Sequence, residues 1–194
     1  MNQTDLVNAC LKNDKVAQKQ LFEAFYGKLA YIAQRYSKNN AQAEILTLNG
    51  FKHLFSILHQ FKIQEGLTLE DFLKKEFIAF AVDYIKDIRS EYYVASTVKA
   101  VEHKSKTYDL FLDHQLIDFR NIKPEILLKS IQGLVPSQRL IFNLYVIDNY
   151  SLAQASELLD TSEQSIKSNL EKARFNLQKQ IETTLKNSTN EQPV

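Results

Sequence analysis

The chain has 194 residues, 44% of them apolar and 24% charged, with a net charge of +1. This composition can bury one sizeable core or two small ones, the segment pattern fitting two better, and it excludes disorder, fibre and a strongly basic nucleic-acid coat protein. The single Cys10 excludes an intramolecular disulfide, no apolar run reaches membrane-spanning length, and the start Met1-Asn2-Gln3-Thr4-Asp5 lacks the blocks of a signal peptide, so a cytoplasmic protein is expected.

Four Gly, three Pro and no sustained two-residue alternation predict an all-α fold. Asp5 can cap a first helix carrying Leu6, Ala9 and Cys10. Asn13-Asp14 breaks it and starts another through Leu21, Phe22 and Phe25, and Gly27 is expected to mark its bend or end. Two apolar-periodic runs come next, 28–36 and 41–61, separated by the loop Ser37-Lys38-Asn39-Asn40, with Gly66 ending that region. Thr68 can cap a helix carrying Leu69, Phe72, Leu73, Phe77, Phe80, Ala81, Tyr84, Ile85 and Ile88, whose aromatic inner side predicts core packing. The expected organisation is a helical domain over 1–92, a linker over 93–123 with one helical segment near Tyr108 to Phe119, a second helical domain over 124–186 and a frayed tail over 187–194.

The second domain reads as a helix-turn-helix. Pro136 suits a first helical position, and Leu140, Ile141, Leu144 and Ile147 succeed it at helical spacing. Asp148-Asn149-Tyr150 interrupts, and Ser151 with Gln154 forms a capping-box pattern for a short helix through Leu158 and Leu159. After Asp160-Thr161-Ser162, Thr161 or Ser162 can cap a third helix whose core stripe is Ile166, Leu170, Ala173 and Leu177. Its outward residues Ser162, Glu163, Gln164, Ser165, Lys167, Ser168, Lys172 and Arg174 are the candidate DNA contacts, because a recognition helix presents its amino-terminal half to base edges. Gln pairs with adenine, Lys with guanine or phosphate, Ser with either. Any three-helix bundle also needs caps and a solvated face, and Asp160, Glu163 and Glu171 nearly offset the nearby cations, so little sequence-independent affinity is expected.

Other chemistry is sparse. His53 and His59, like His103 and His114, have no spacing that assembles a metal site with one cysteine, and neither a phosphate loop nor a nucleophile elbow is present. Glu70, Asp71 and Glu76 lie among lysines on a solvated face. No enzyme, metal or cofactor is therefore expected. Phe25-Tyr26 and Tyr92-Tyr93 could stack on bases but more often split between core and rim, and Phe175 falls off the core stripe of the last helix, where it could touch a partner or the other domain.

The chain resembles the extracytoplasmic-function sigma factors, two-domain specificity subunits of bacterial RNA polymerase. Residues 6–14 with Ala17 and Leu21-Phe22 are similar to the family's opening helix pair. Ala43-Glu44, Gly50-Phe51-Lys52-His53-Leu54-Phe55 and Leu58-His59-Gln60-Phe61 are similar to its polymerase-binding helix, and Phe72-Leu73-Lys74-Lys75 with Asp83-Tyr84-Ile85-Lys86 to its promoter-melting helix. The carboxyl-terminal block from Leu134-Val135-Pro136 to Ser151, then Ser162-Glu163, Lys167-Ser168-Asn169-Leu170 and Ala173-Arg174, is the most specific part. The resemblance implies a first domain that binds core RNA polymerase through Asn49, Phe51, Lys52 and Phe55 and opens the minus-ten element through Lys74, Lys75, Ala79, Asp83 and Lys86. It implies a last domain that reads the minus-thirty-five element of promoter DNA, a chain that is monomeric when free, and an anti-sigma factor as a further possible partner. Catalysis would belong to the polymerase.

Three departures accompany the resemblance. Ile45, Leu48 and Asn49 stand where the family usually carries an aspartate, a glutamine and a glutamate for clamp arginines. Ala79 and Phe80 occupy a polar stretch that usually helps capture a flipped base, and Asp87 and Glu91 interrupt the basic run. Asp160 replaces a common glycine and Thr161 an apolar turn residue, though aspartate tolerates the left-handed conformation such a turn needs. Two other readings therefore stand beside an initiation factor: a sigma-like interaction protein that binds polymerase or a regulator without opening promoters, and a dimeric helix-turn-helix repressor.

Overall fold

The computed structural model describes residues 3–62, 67–87 and 122–190, and regular structure among them is helical. The expectations for Gly66, the domain end near Tyr92, Tyr92-Tyr93, the linker and its helical segment fall outside the described residues, as do Ile88, Glu91, His103 and His114. Contacts divide the chain into two compact units between Tyr84 and Ile85.

In the first unit α1 spans Gln3–Leu11. It starts two residues before Asp5, so Asp5 is not the cap but an acid in the first turn, where it complements the positive end of the helix dipole. Asn13, at φ 61°, makes the break, and the Asp14 carboxylate accepts from the amides of Val16 (2.8 Å) and Ala17 (3.2 Å) to cap α2, Lys15–Tyr36. Gly27 neither bends nor ends α2. A Cβ there would meet nothing within 4 Å, and burial of Ala17, Leu21, Leu29, Ile32 and Tyr36 on both sides outweighs the cost of one helical glycine, about 1 kcal/mol.

The loop shortens to 37–39 because Asn39 caps α3, Asn40–Ile57, accepting from the Gln42 amide at 2.9 Å. Such a short connection sets α2 and α3 side by side, and the Phe51 ring lies 4.6 Å from Phe22 and 6.5 Å from Tyr26. A 3₁₀ turn, Leu58–Gln60, succeeds α3.

Helix α4 spans Leu69–Asp87. Thr68 caps it: its hydroxyl accepts from the Asp71 amide (3.1 Å) and donates to the Asp71 carboxylate (2.6 Å). Leu69, Phe72, Leu73, Phe77, Ala81 and Ile85 are buried as expected, whereas Phe80 and Tyr84 sit half-buried at the edge. Gly50 is where α3 meets this helix: a Cβ there would lie 2.8 Å from Phe77 Cδ2, inside contact distance.

The second unit contains α5 (Pro124–Gln132), α6 (Pro136–Phe142), α7 (Leu152–Leu159) and α8 (Glu163–Asn190), with α8 packed on the other three. The tail expected to fray from 187 remains helical to Asn190, since each added residue extends a formed helix by one hydrogen bond without a new nucleation cost.

Candidate nucleic-acid interface

Pro136 stands at the first position of α6, and Leu140, Ile141, Phe142 and Leu144 are buried. Ile147 is not part of that core. The backbone passes from α to a π turn over Asn143–Ile147, and the Asp148 amide reaches back five residues to the Asn143 carbonyl at 2.8 Å. The wider turn rotates the succeeding side chains off the α-helical stripe, leaving Val146 and Ile147 exposed. Asn149, at φ 58°, completes the reversal.

Two buried polar side chains fix this region. Arg139 is 1% exposed, and its Nη1 donates to the carbonyls of Gln132 (2.9 Å) and Leu134 (2.7 Å), satisfying groups at the end of α5. Asn143 donates from Nδ2 to the Arg139 carbonyl at 2.8 Å. The Asn176 amide donates to Gln138 Oε1 at 2.9 Å, tying α8 to α6. Sequence periodicity misses all of these, because Arg139 and Asn143 look like surface residues until the fold encloses them. The residue resemblance over this block is the signal that marks the stretch.

The second helix matches its sequence pattern closely. Ser151 donates its amide to Gln154 Oε1 (2.9 Å), and its hydroxyl accepts from the Gln154 amide (3.2 Å), a reciprocal capping box for α7. Asp160 ends α7 in the left-handed conformation, φ 51° and ψ 49°. The Ser156 hydroxyl donates to the Thr161 carbonyl, and the Thr161 amide donates to the Ser156 carbonyl at 3.1 Å. Ser162 then caps α8, its hydroxyl accepting from the Ser165 amide at 3.2 Å. Ile166, Leu170, Ala173 and Leu177 are buried, joined by Ile181 one turn on.

The outward side of α8 is set by that anchoring. Ser162, Glu163, Gln164, Lys167 and Lys172 are exposed, while Ser165, Ser168 and Arg174 are half-buried. The Ser162 hydroxyl is occupied by the cap and by Ser165 Oγ at 3.0 Å, and the Ser165 carbonyl accepts from Asn169 Nδ2 at 3.0 Å. Ser162 and Ser165 thus hold the start of the helix, while Gln164, Lys167 and Lys172 stay exposed and Ser168 half-buried on its outward side.

In the first unit, Lys75, Ala79 and Asp83 recur every four residues along α4, exposed, half-buried and exposed, and Lys86 lies past the boundary between the units. Lys74 is engaged: its ammonium lies 2.7 Å from Glu70, which also accepts from Lys28. Hydrogen bonds from Lys28 first and Lys74 second hold the Glu70 carboxyl at about 2. Phe80 stacks against His53 at 4.9 Å and Tyr84 at 6.2 Å, linking α3 to α4 at their edge.

On α3, Lys52 is exposed and Asn49 and Phe55 are half-buried, but Phe51 is only 3% exposed. The expected direct contact by Phe51 is corrected accordingly: its ring packs against Phe22, Tyr26 and Phe55 and shapes the helix from inside. The neighbouring surface instead belongs to Ile45, 51% exposed, and Leu48, 47% exposed. Among the described residues no cluster of His, Cys, Asp and Glu could hold a metal, and no helix is long and apolar enough to cross a membrane.

Residues 125–177 match the family described as sigma-70, region 4. No curated protein matches the chain. Among solved structures, the chain is similar to the sigma factor RpoE from Bartonella quintana, crystallised in complex with the anti-sigma factor NepR. That likeness has a TM-score of 0.52 at 18% identity and covers 84% of this chain and 96% of the other. Residues 125–177 are therefore similar to sigma-70 region 4, and the chain shares its all-α fold with that solved structure.

Proposed function

We propose that this chain, a region 4 module carried on a sigma-factor fold, is an RNA polymerase sigma factor of the extracytoplasmic-function type. It binds core RNA polymerase, acts in the cytoplasm, and directs initiation by recognising promoter DNA. The observation that carries this reading is the start of α8, capped by Ser162, set by the left-handed Asp160 and held to the core through Ile166 and Leu170. Gln164, Lys167, Ser168 and Lys172 then form a polar surface of the size and chemistry that enters a major groove and reads the minus-thirty-five element. Glu163 and Glu171 dilute its charge, which suits a reader whose affinity comes largely from polymerase. Catalysis belongs to the polymerase, and the chain is monomeric until it joins that enzyme.

The partner of the Bartonella relative makes an anti-sigma factor a reasonable regulator for this chain as well. A second reading, a sigma-like protein that binds polymerase or a regulator without opening promoters, is favoured by α4. There Lys74 is paired with Glu70, and Ala79 and Phe80 offer a single strand little polarity.

Run-off transcription with cognate core polymerase separates the two readings. Specific transcripts that require this chain support the initiation factor, whereas a stable complex with no transcript favours the second reading. In the same holoenzyme, Lys167→Ala or Gln164→Ala is expected to cost about 1–3 kcal/mol of promoter affinity at one base position while polymerase binding holds. Equal promoter binding by wild type and both variants would remove this face as the reader.

A further inference from the structure

Helix α8 continues beyond Leu177, where the match to sigma-70 region 4 ends, and an open cleft of about 330 Å³ lies between these added turns and α5. Its volume falls at the small end of the range of small-molecule sites, about 300–1,000 Å³. Lys129 and Ser130 of α5 line it, with Lys179, Gln180, Thr183 and Thr184 of α8. Among the described residues neither ammonium is taken up in an ion pair, and no carboxylate lines the cleft. The neighbouring Glu182 turns to Gln178, its Oε1 accepting from Nε2 at 3.0 Å. At the carbonyl end of α5, which would otherwise attract Lys129, Arg139 already donates to Gln132. Two positive charges are thus left without a counter-charge. The hydroxyls are committed differently: Ser130 donates to the Ile126 carbonyl (2.8 Å), Thr183 to that of Lys179 (2.8 Å) and Thr184 to that of Gln180 (2.9 Å). With its one hydrogen spent, each oxygen can offer a ligand only an acceptor. Gln180 reaches the end of α5 because residue 133 is glycine, where a Cβ would lie 2.5 Å from its Oε1.

We infer that this cleft binds a small phosphorylated sugar or polyol, its phosphate monoester held between Lys129 and Lys179 and its hydroxyls donating to Ser130, Thr183 and Thr184. A bare anion would gain the two ammoniums but face three oxygens that repel it. A sugar phosphate instead brings the anion to the lysines and hydrogens to the oxygens. The phosphodiester backbone of DNA shares the anionic chemistry, but its deoxyribose has no free hydroxyl to donate. Lys179 also lies about 18 Å along the helix axis from Lys167 of the proposed base-reading face, in the half of α8 that a recognition helix keeps out of the groove. Occupation of the cleft ties α5 to the last turns of α8. The inference goes beyond the sigma-factor reading and does not rest on it.

The test is amide NMR of the full chain, titrated at fixed ionic strength with ribose 5-phosphate, with ribose and with inorganic phosphate. Ribose 5-phosphate is expected to give saturable shifts at Lys129, Ser130, Gly133 and Gln180 with a dissociation constant of about 1 mM, the weak affinity of an open, screened site. Ribose should give none, and inorganic phosphate should bind at least about threefold more weakly for want of the hydroxyl contacts. Lys129→Gln and Lys179→Gln should each lose about three- to fivefold, as exposed charge contacts do, and the double variant should no longer saturate. Both lysines are exposed, so these variants keep the wild-type circular dichroism. Lys19→Gln, in the first unit, controls for net charge and should bind as wild type does. No saturable shift up to about 20 mM ester, or unchanged affinity in the lysine variants, overturns the inference. Inorganic phosphate binding as tightly as the ester overturns it too, leaving an anion site without sugar recognition. So does a loss of promoter affinity in the Lys129 and Lys179 variants with a shallower salt dependence, which assigns the cleft to the DNA backbone.

Discussion

Helices α3 and α8 solve the same mechanical problem with different surfaces. Each is bound to its unit by one buried stripe, Ala43, Leu46, Gly50 and Leu54 in α3 and Ile166, Leu170, Ala173 and Leu177 in α8. The outward side of α8 is polar, with Gln164 and Lys167 turned to solvent. That of α3 is apolar at Ile45 and Leu48. Packing constrains the inner stripe to shape and volume and leaves the chemistry of the outer stripe free to differ between the two helices.

If the inner scaffolds really set these surfaces, breaking them should cost more than changing the surfaces themselves. Arg139→Ala removes a buried cation bonded to two carbonyls and is expected to destabilise the second unit by about 3 kcal/mol, read by denaturant unfolding. Unchanged stability would mean that the carbonyls find other partners easily.

Gly50→Ala places a methyl against Phe77 and should cost about 1–3 kcal/mol in the first unit. Gly27→Ala, on the same helical pair but with open space at its Cβ, should raise stability by about 0.5–1 kcal/mol. The two glycines thus predict opposite shifts in thermal midpoint, and shifts of the same sign would refute the assigned close approach.

The smallest effect concerns Glu70. Its carboxyl is held at about 2 in the folded unit, below the ordinary unfolded value of about 4.3. Its stabilising contribution is therefore complete above the unfolded value and disappears as pH falls through that window toward 2. Glu70→Gln should leave stability at low pH nearly unchanged and lower it modestly at neutral pH, flattening the acid limb of a thermal-midpoint profile. The group is open to solvent, which keeps the effect small.

Much of the second unit is legible residue by residue. Ser151 and Gln154 stand three apart, as a reciprocal cap requires, Asp160 suits a left-handed turn, and Ile166 to Leu177 keep the period of one helical face, all interactions between neighbours in sequence. The differences fall where distant residues decide. Gly27 reads locally as a breaker, yet the apolar residues on either side carry α2 through it. Ile147 keeps helical spacing along the chain, but the π turn moves it to solvent. Phe51 groups with a contact surface by its position between Asn49 and Lys52, and only packing against Phe22 and Tyr26 makes it core.

Short-range pattern is enough for the all-α class, the caps, the helix-turn-helix and the residues at the start of its third helix, because these depend on hydrogen bonds and periodicities that span a few residues. Long-range packing is needed to bury Arg139 and Asn143, to make Gly50 a point of close approach, and to leave Ile45 and Leu48 as an uncovered apolar pair. Burial belongs to the other helices as much as to the residue itself, and no local pattern records which side of a helix those neighbours will leave open.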